Sequence, residues 1–582
     1  MSPAPVAELT SPSPLWIARV AGSQEEMGRQ HGALLAGAGG ADRTIDHYRD
    51  MPVRALVGGM PAAVRGLATL GLRGLGDHLL RKLDAHRPPE LAARSRAFMT
   101  ALGRPATDAR VLGVMDLLQN LIGMASRRRL GPFGQPLAAA MTTAAQPACS
   151  TAVVWGAASK DGVLRHARNF DFPGIGVWDA GPSLVLCAPT DGQRYGFLAT
   201  RGADVPAVTV FNQAGLVITS HTRFHHAVRF DGAAVVDLVH DIARRATTLA
   251  EAIAIAGARP SASTWGLAVS SAREGRAVVL ELNGDRLAVV EPGPGADELV
   301  CCNRYRHPSM RDGEVAASPA WAAHTERREA SLRAGLAAAR AAGGADVEAL
   351  ARMLVARADP DDAGVSRLLG GVVAQAAQVQ SVVLEPANRT LWLGVGAAPV
   401  GEGRWLRVGW DWDGAAGAWQ IDQAAPAGLG VTVDEAFTLP RHPAADAVAR
   451  AQIIEHEHHD PDATAAALAA AIVLAPLDPS LRLAMTWVEL RRRRWSAAMA
   501  EAAIGLERER LPYRRGQLLL WGARAAAAAG DVARAAGWRA DLAALRGRGV
   551  DALQAEAQRD VARGPRAARR RPAINLVMHD AT

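Results

Sequence analysis

The sequence predicts an α+β protein in three sections: helices, then a sheet-rich core, then helices again. Three observations carry that expectation. Ala/Leu/Arg-rich stretches fill the chain from about residue 24 to about 130. From Cys149 the pattern changes to short β-type runs broken by Gly, Asp and Pro. Beyond about residue 440 such runs stop and Ala-rich helical segments return.

The first ordered feature is Gly22-Ser23-Gln24-Glu25-Glu26-Met27-Gly28-Arg29-Gln30-His31-Gly32. Ser23 followed three residues later by Glu26 reads as a capping box, so a helix starts there. Further helices are expected up to Gly131-Pro132, and residues 131–148 read as a loop. The β-type runs are Thr151–Trp155, Leu184–Leu186, Thr209–Phe211, Leu216–Thr219, Leu267–Val269, Ala277–Leu282 and Leu287–Val290, with helices at Ala233–Arg245 and Leu249–Ala256. A late hairpin, Gln380–Glu385 and Thr390–Gly394 around Pro386-Ala387-Asn388-Arg389, returns to the sheet. A boundary falls near Leu439-Pro440. In the helical section beyond it, Pro479 and Pro512, like Trp487 and Trp521, stand about one repeat of ~34 residues apart, with a turn at Ala529-Gly530-Asp531; this resembles tetratricopeptide repeats.

Composition narrows the function classes. A chain of 582 residues exceeds one hydrophobic core, so several domains are expected. The net charge of +7 is concentrated near the C-terminus, in Arg563, Arg566 and Arg569, Arg570, Arg571, which read as a solvated tail; nucleic acid is not expected, since no aromatic platform or zinc-finger spacing accompanies them. The four cysteines (Cys149, Cys187, Cys301, Cys302) include no CxxC pair, which fits reduced thiols in a cytoplasm. Residues 1–22 lack a basic start followed by an apolar stretch, and Ala465–Leu477 is too short to span a bilayer, so neither a Sec signal nor a membrane span is expected.

The segment that carries chemistry is Cys149-Ser150-Thr151, a strand, the turn Lys160-Asp161-Gly162, and then Arg168-Asn169-Phe170-Asp171. A hairpin folding back on itself brings Arg168 and Asp171 beside the cysteine that opens its first strand. On an extended strand residues 168 and 171 face opposite ways, so a bulge or strand end near Phe170 is required.

At this point the sequence resembles the isopenicillin-N acyltransferase family of N-terminal-nucleophile (Ntn) hydrolases, which is related to choloylglycine hydrolase, penicillin V acylase and acid ceramidase. The resemblance lies in residues 22–32, Cys149, Arg168-Asn169-Phe170-Asp171, Asn212-Gln213-Ala214-Gly215-Leu216, Asn303 and the strand pair around residues 380–396, and spans about residues 15–410. It implies a four-layer αββα sandwich with an added C-terminal all-α domain. Residues 1–148 would be the smaller chain after autocleavage, 149–430 the catalytic core, and 440–582 the helical domain with its basic tail. It also implies that the Ala148–Cys149 bond is cut, so that Cys149 becomes nucleophile and, through its α-amine, proton acceptor. Arg168 would favour thiolate, Asp171 would orient the α-ammonium, and Asn212 and Asn303 would donate to an oxyanion. Two departures bear on the substrate: Ala148 stands where relatives often have Gly, and Asn303-Arg304-Tyr305 where the acyltransferases often have Asn-His-Phe.

The expected activity is that of an amidohydrolase or acyltransferase on a linear amide or acyl thioester, a small-molecule substrate, through an acyl-thioester intermediate, with no cofactor and no metal. His221, His225 and His226, like His456, His458 and His459, show no HExxH spacing and read as structural or solvated; Glu281 reads as a strand residue at the cleft rim, and Cys301 and Cys302 as strand residues. Two rivals stand beside this reading. One is an inactive relative that binds a protein partner through its C-terminal helices; the other is a Cys-His protease, for which spacing nominates no histidine.

Overall fold

The computed structural model describes residues 15–38, 42–57, 62–127, 148–315, 319–360, 362–569, 574–576 and 580–581. The expected loop over residues 131–147 lies outside them. In chain order the strands are β1 (Trp16–Gly22), β2 (Ser150–Gly156), β3 (Gly162–Asp171), β4 (Pro182–Pro189), β5 (Tyr195–Thr200), β6 (Thr209–Asn212), β7 (Leu216–Thr222), β8 (Trp265–Ser271), β9 (Arg276–Leu282), β10 (Leu287–Val290) and β11 (Glu298–Cys301). They continue with the small ribbon β12 (Ala358–Asp359) and β13 (Asp362–Ser366), then β14 (Gln378–Glu385), β15 (Thr390–Val395), β16 (Arg404–Trp410), β17 (Gly417–Gln420) and β18 (Val431–Thr438).

Two large sheets result. One runs β10-β9-β8-β7-β6-β5-β4-β1-β17, the other β11-β2-β3-β14-β15-β16-β18. Their inner faces pack on each other through Leu184, Leu186, Phe211 and Val217 from the first and Val382, Leu384, Leu391 and Leu393 from the second. The outer face of the first sheet takes Leu35, Phe98, Val239 and Ile242 from helices, and that of the second takes Leu332, Leu336 and Leu350 from the helices Pro319–Ala341 and Val347–Leu354. Helices therefore cover both sides of the sheet pair, in the order helix, sheet, sheet, helix.

The opening motif shows what its residue types do at that spacing. Ser23 and Glu26 cap each other: the Ser23 N–H donates to Glu26 Oε2 at 2.7 Å and the Glu26 N–H to Ser23 Oγ at 3.3 Å. A Cβ on Gly28 or Gly32 would run into the backbone oxygens of Arg94 and Phe98, so these glycines let the helix Gln24–Ala38 lie directly on Pro89–Ala101. That contact buries Arg94, whose guanidinium grips Asp204 with two 2.8 Å bonds while His31 Nδ1 meets the same carboxylate at 3.0 Å. Burial alone would raise the Asp204 pKa, but Arg94 and His31 outweigh it and hold the group well below the usual carboxylate range.

Each β-type run expected from sequence falls within a strand, but β1, β5, β11, β12, β13, β16, β17 and β18 go beyond those runs, and β1 stands ahead of the motif expected to be the first ordered feature. After Thr438 helices take over, from Ala445–Ile453 to Val550–Arg563, but the section expected to be all-α also holds a two-stranded ribbon, β19 (Ile574–Asn575) with β20 (Asp580–Ala581). Pro479 and Pro512 each open a helix, and Trp487 meets Trp521 edge-on, with ring centroids 6.4 Å apart. In the basic tail Arg563 and Arg566 are exposed, as a solvated tail requires; Gly564–Arg569 forms a 3₁₀ turn that buries Ala567 and Ala568, while Arg570 and Arg571 lie outside the described residues. Among the described residues no helix is long and apolar enough to cross a membrane.

Candidate active site

Cys149 sits immediately before β2 and is buried. β3 returns antiparallel to β2, pairing Arg168 with Thr151 and Asn169 with Ser150, so Arg168 comes back to the cysteine. Its Nη2 lies 3.7 Å from Cys149 Sγ and 2.9 Å from the Ser220 carbonyl, while Nη1 donates to the Val208 carbonyl and to Thr209 Oγ1, both at 2.6 Å. Three fixed acceptors from β7 and the β6 entry therefore hold the guanidinium in one plane beside the thiol.

The irregularity required near Phe170 is present. β14 pairs Gln378 with Asp171 and Gln380 with Phe170, leaving Val379 as an extra residue opposite that step, and β3 ends at Asp171. Arg168 and Phe170 share a face, the guanidinium carbon lying 4.8 Å from the ring centroid. The Asp171 backbone oxygen is 4.0 Å from Cys149 Sγ, and among the described residues neither carboxylate oxygen of Asp171 has a hydrogen-bond partner.

These groups titrate against one another. Burial raises the Cys149 thiol pKa, and Arg168 opposes that rise. Burial also lowers the pKa of Arg168, and it pushes Asp171 well above the carboxylate range against the pull of Arg328 and Arg168.

Arg328, which the sequence pattern does not single out, completes the cluster. It projects from the helix Pro319–Ala341 and is fully buried. Its Nη1 donates to the Ala148 carbonyl, to the Cys149 carbonyl at 2.7 Å and to Ser150 Oγ at 2.9 Å; its Nη2 donates to Asn303 Oδ1 at 2.9 Å. One guanidinium thus spans the Ala148–Cys149 peptide and ties it to Asn303, whose Nδ2 donates to the Thr222 carbonyl at 3.1 Å.

Asn212 is not brought here. Its amide donates to the Ala243 and Ala246 carbonyls at 3.0 and 2.8 Å, and its Oδ1 accepts from the Leu216 N–H at 3.0 Å. The residue ties the β6–β7 turn to the end of the helix Val235–Arg245, and both amide hydrogens are taken, which corrects the expectation of an oxyanion donor. Glu281 is likewise not at a rim: it is buried and accepts from the Arg306 and His307 N–H groups at 2.7 and 3.0 Å. His221 lies between the sheets, with Nε2 3.0 Å from Thr151 Oγ1, and burial drives its pKa well below that of a free imidazole. Cys301 and Cys302 are buried at the end of β11 against Arg223.

A cavity of about 110 Å³ opens beside Arg168, walled chiefly by apolar side chains such as Met99, Phe170, Phe172, Trp178, Val208 and Trp265. Arg168 lines this cavity and also lies beside Cys149 Sγ.

No family model matches the chain, and no curated protein matches it. Among solved structures it is similar to the Caenorhabditis elegans N-acylethanolamine-hydrolyzing acid amidase (NAAA) ortholog, at 14% identity and a TM-score of 0.30, covering 41% of this chain and 93% of that one. A likeness that slight carries no weight, so the functional case stands on the side chains around Cys149.

Proposed function

We propose that the chain is an Ntn-type cysteine amidohydrolase or acyltransferase that activates itself by cutting between Ala148 and Cys149. The observation that supports this is the meeting of a buried thiol, the Arg168 guanidinium, an unpartnered Asp171 carboxyl and a second guanidinium, Arg328, on the carbonyl of the bond to be cut. In this reading Cys149 Sγ adds to the Ala148 carbonyl carbon and the oxyanion forms where Arg328 already donates. The C–N bond breaks as the thiol proton passes to the departing nitrogen, which frees the α-amine of Cys149 and leaves a thioester; water then cleaves the C–S bond to release the Ala148 carboxylate and the free thiol. With a free-amine pKa near ~8, a neutral fraction exists at physiological pH to take the thiol proton in later turnovers.

The same groups then serve an external acyl compound. The thiol adds to an amide or thioester carbonyl, the amine or thiol of the substrate leaves, and water or an amine resolves the acyl-enzyme. The cavity favours an apolar acyl group, with binding of about 0.8 kcal/mol for each methylene it buries. On this reading the αββα catalytic core extends beyond the expected residues 149–430, taking β1 from the N-terminal section and β18 up to Thr438, the helical pairs beyond residue 440 are tetratricopeptide-like, and Asn303 serves through its bond to Arg328. A Cys-His mechanism finds no support, since among the described residues no histidine ring is hydrogen-bonded to Cys149 Sγ.

The test is intact-mass and N-terminal sequencing of purified protein, followed by assay on N-acyl amides of graded chain length with and without an amine acceptor. Two chains, the larger beginning Cys-Ser-Thr, and turnover lost in Cys149→Ala are expected. A fully active uncut chain, or Cys149→Ala as active as the parent, would refute the assignment.

A further inference from the structure

The C-terminal helices are unexplained by the chemistry above; they meet the core at several points, such as Arg54 with Glu457 and Arg548 with Glu326, and one of these, the segment Arg367–Gln378, leads to the reactive cluster. At the start of this segment Arg367 makes a two-pronged pair with Glu509, at 2.7 and 2.8 Å, from the end of the helix Trp495–Arg508. Both side chains are buried, Glu509 completely. The next two N–H groups are also taken by the helical domain: that of Leu368 donates to Asp478 Oδ2 at 2.7 Å and that of Leu369 to Ser480 Oγ at 3.2 Å. Leu368, Leu369 and Ala376 are buried in the hydrophobic core of that domain.

The far end of the segment belongs to the reactive cluster. Gln378 pairs with Asp171, the Ala377 carbonyl accepts the Phe172 N–H at 3.0 Å, and the Ala377 side chain packs on Ala148. Asn169, between Arg168 and Phe170, donates to the Leu354 carbonyl at 2.7 Å and accepts from Ser381 Oγ at 2.8 Å, so this end of β3 is also held by residues on either side of the segment. A stretch of a dozen residues therefore joins side chains of the helical domain directly to the residue before the cut bond and to the strand end that carries Asp171.

We propose that the helical domain is an internal clamp: its grip on Arg367, Leu368 and Leu369 sets the segment against Ala148 and the end of β3, and self-cleavage and Cys149 reactivity depend on that grip. This rests on reading Cys149 as the nucleophile. Arg367, Glu509 and Asp478 are then positioning residues that act through Ala377 and Gln378, and a misplacement of about 1 Å at the cluster slows chemistry by about 10²-fold.

The test uses full-length Glu509→Gln and Asp478→Asn, with Arg534→Ala, an exposed residue elsewhere in the same domain, as control. Asp478→Asn removes the acceptor for Leu368 while its remaining oxygen can still accept from the Ser480 N–H, so it tests the clamp even where Glu509→Gln fails to fold. Four readouts are taken: hydrogen exchange of residues 368–377 and 169–172, the rate of self-cleavage by intact mass, alkylation of Cys149 by iodoacetamide as a function of pH, and kcat and KM on an acyl amide. Both segments should exchange faster together, cleavage and kcat should fall about 10²-fold with KM changed less than about twofold, and the control should match the parent. Loosening of residues 368–377 with unchanged protection at 169–172 and parental cleavage overturns the proposal. If the parent itself neither cleaves nor turns over amides, the nucleophile reading fails. Exchange at 169–172 then decides the clamp alone: coupled loosening supports it and independence overturns it.

Discussion

Arg328→Lys is the most informative single substitution, because it keeps the charge and changes the geometry. The guanidinium meets the Ala148 and Cys149 carbonyls and Ser150 Oγ with one nitrogen and Asn303 Oδ1 with the other. An ammonium is a point donor on a flexible stem and cannot span both sides. Removing a donor aimed at a developing oxyanion costs about 2.7–4 kcal/mol, or about 10²–10³-fold in rate. Self-cleavage of Arg328→Lys should therefore slow by two to three decades, read as the uncut fraction against time by intact mass from a freshly purified precursor. Stability should fall as well, by about 1–3 kcal/mol for each buried acceptor left bare, so the thermal midpoint is measured on the same sample. Cleavage at the parental rate in a folded Arg328→Lys would show that the Ala148 carbonyl gains nothing from this contact, and the proposed role would be wrong.

Other substitutions separate the remaining roles. Asp171→Asn keeps the shape of a side chain with no partner among the described residues, so kcat/KM on cleaved protein should collapse with little change in thermal midpoint; near-parental turnover would remove Asp171 from the mechanism. Arg168→Lys should slow turnover and lower stability together, because three acceptors around the thiol, and the thiol itself, lose a planar donor; unchanged alkylation of Cys149 would contradict this. Asn212→Ala should cost about 1–3 kcal/mol of stability, since two buried carbonyls and an N–H lose their partner, yet leave self-cleavage intact; a cleavage defect at full stability would restore the oxyanion role. Asp116, which accepts from Trp265 Nε1, Ser263 Oγ and the Val235 N–H, has its pKa raised by burial from 3.8 to about 6. Its protonated form is favoured on folding, so its contribution is fully present below the unfolded value and lost as pH rises through about 6. The stability of the parent minus that of Asp116→Asn should shrink by about 3 kcal/mol across that window, and a flat difference would refute the shift.

The features legible in the chain are short-range ones. The capping box needs two residues three apart, and the β2–β3 hairpin needs a turn between alternating runs, so the Cys149, Arg168 and Asp171 geometry can be derived together with its bulge. Arg328 cannot be, because it lies nearly 180 residues from the carbonyls it holds, next to another arginine in an Ala-rich helix with no pattern to single it out. Asn212 is misassigned from sequence for the complementary reason. An Asn at a strand end before a Gly turn is equally suited to tying the turn, and the choice is made by the nearby helix end, whose carbonyls the sequence does not display. β16 and β17 carry Trp, Gly and Arg where Val and Ile would have marked them, and β18 is an edge strand whose residues are partly or fully exposed.

The unpartnered carboxyl of Asp171 links the fold to the order of events. An ionised carboxylate buried without a partner is costly, and burial answers by favouring the protonated form. The more Asp171 is held neutral, the weaker is its opposition to the attraction of Arg168 for a thiolate, since a charged Asp171 raises the Cys149 pKa. Cutting the Ala148–Cys149 bond would create an α-ammonium next to that carboxyl, and the pair could then ionise together, each offsetting the desolvation of the other. In the proposed mechanism the neutral form of this side chain is favoured while Cys149 attacks its own peptide, and the charged form once the amine exists to be oriented. Asp171 is fully buried and among the described residues its carboxylate oxygens have no hydrogen-bond partner, which is consistent with that order of events.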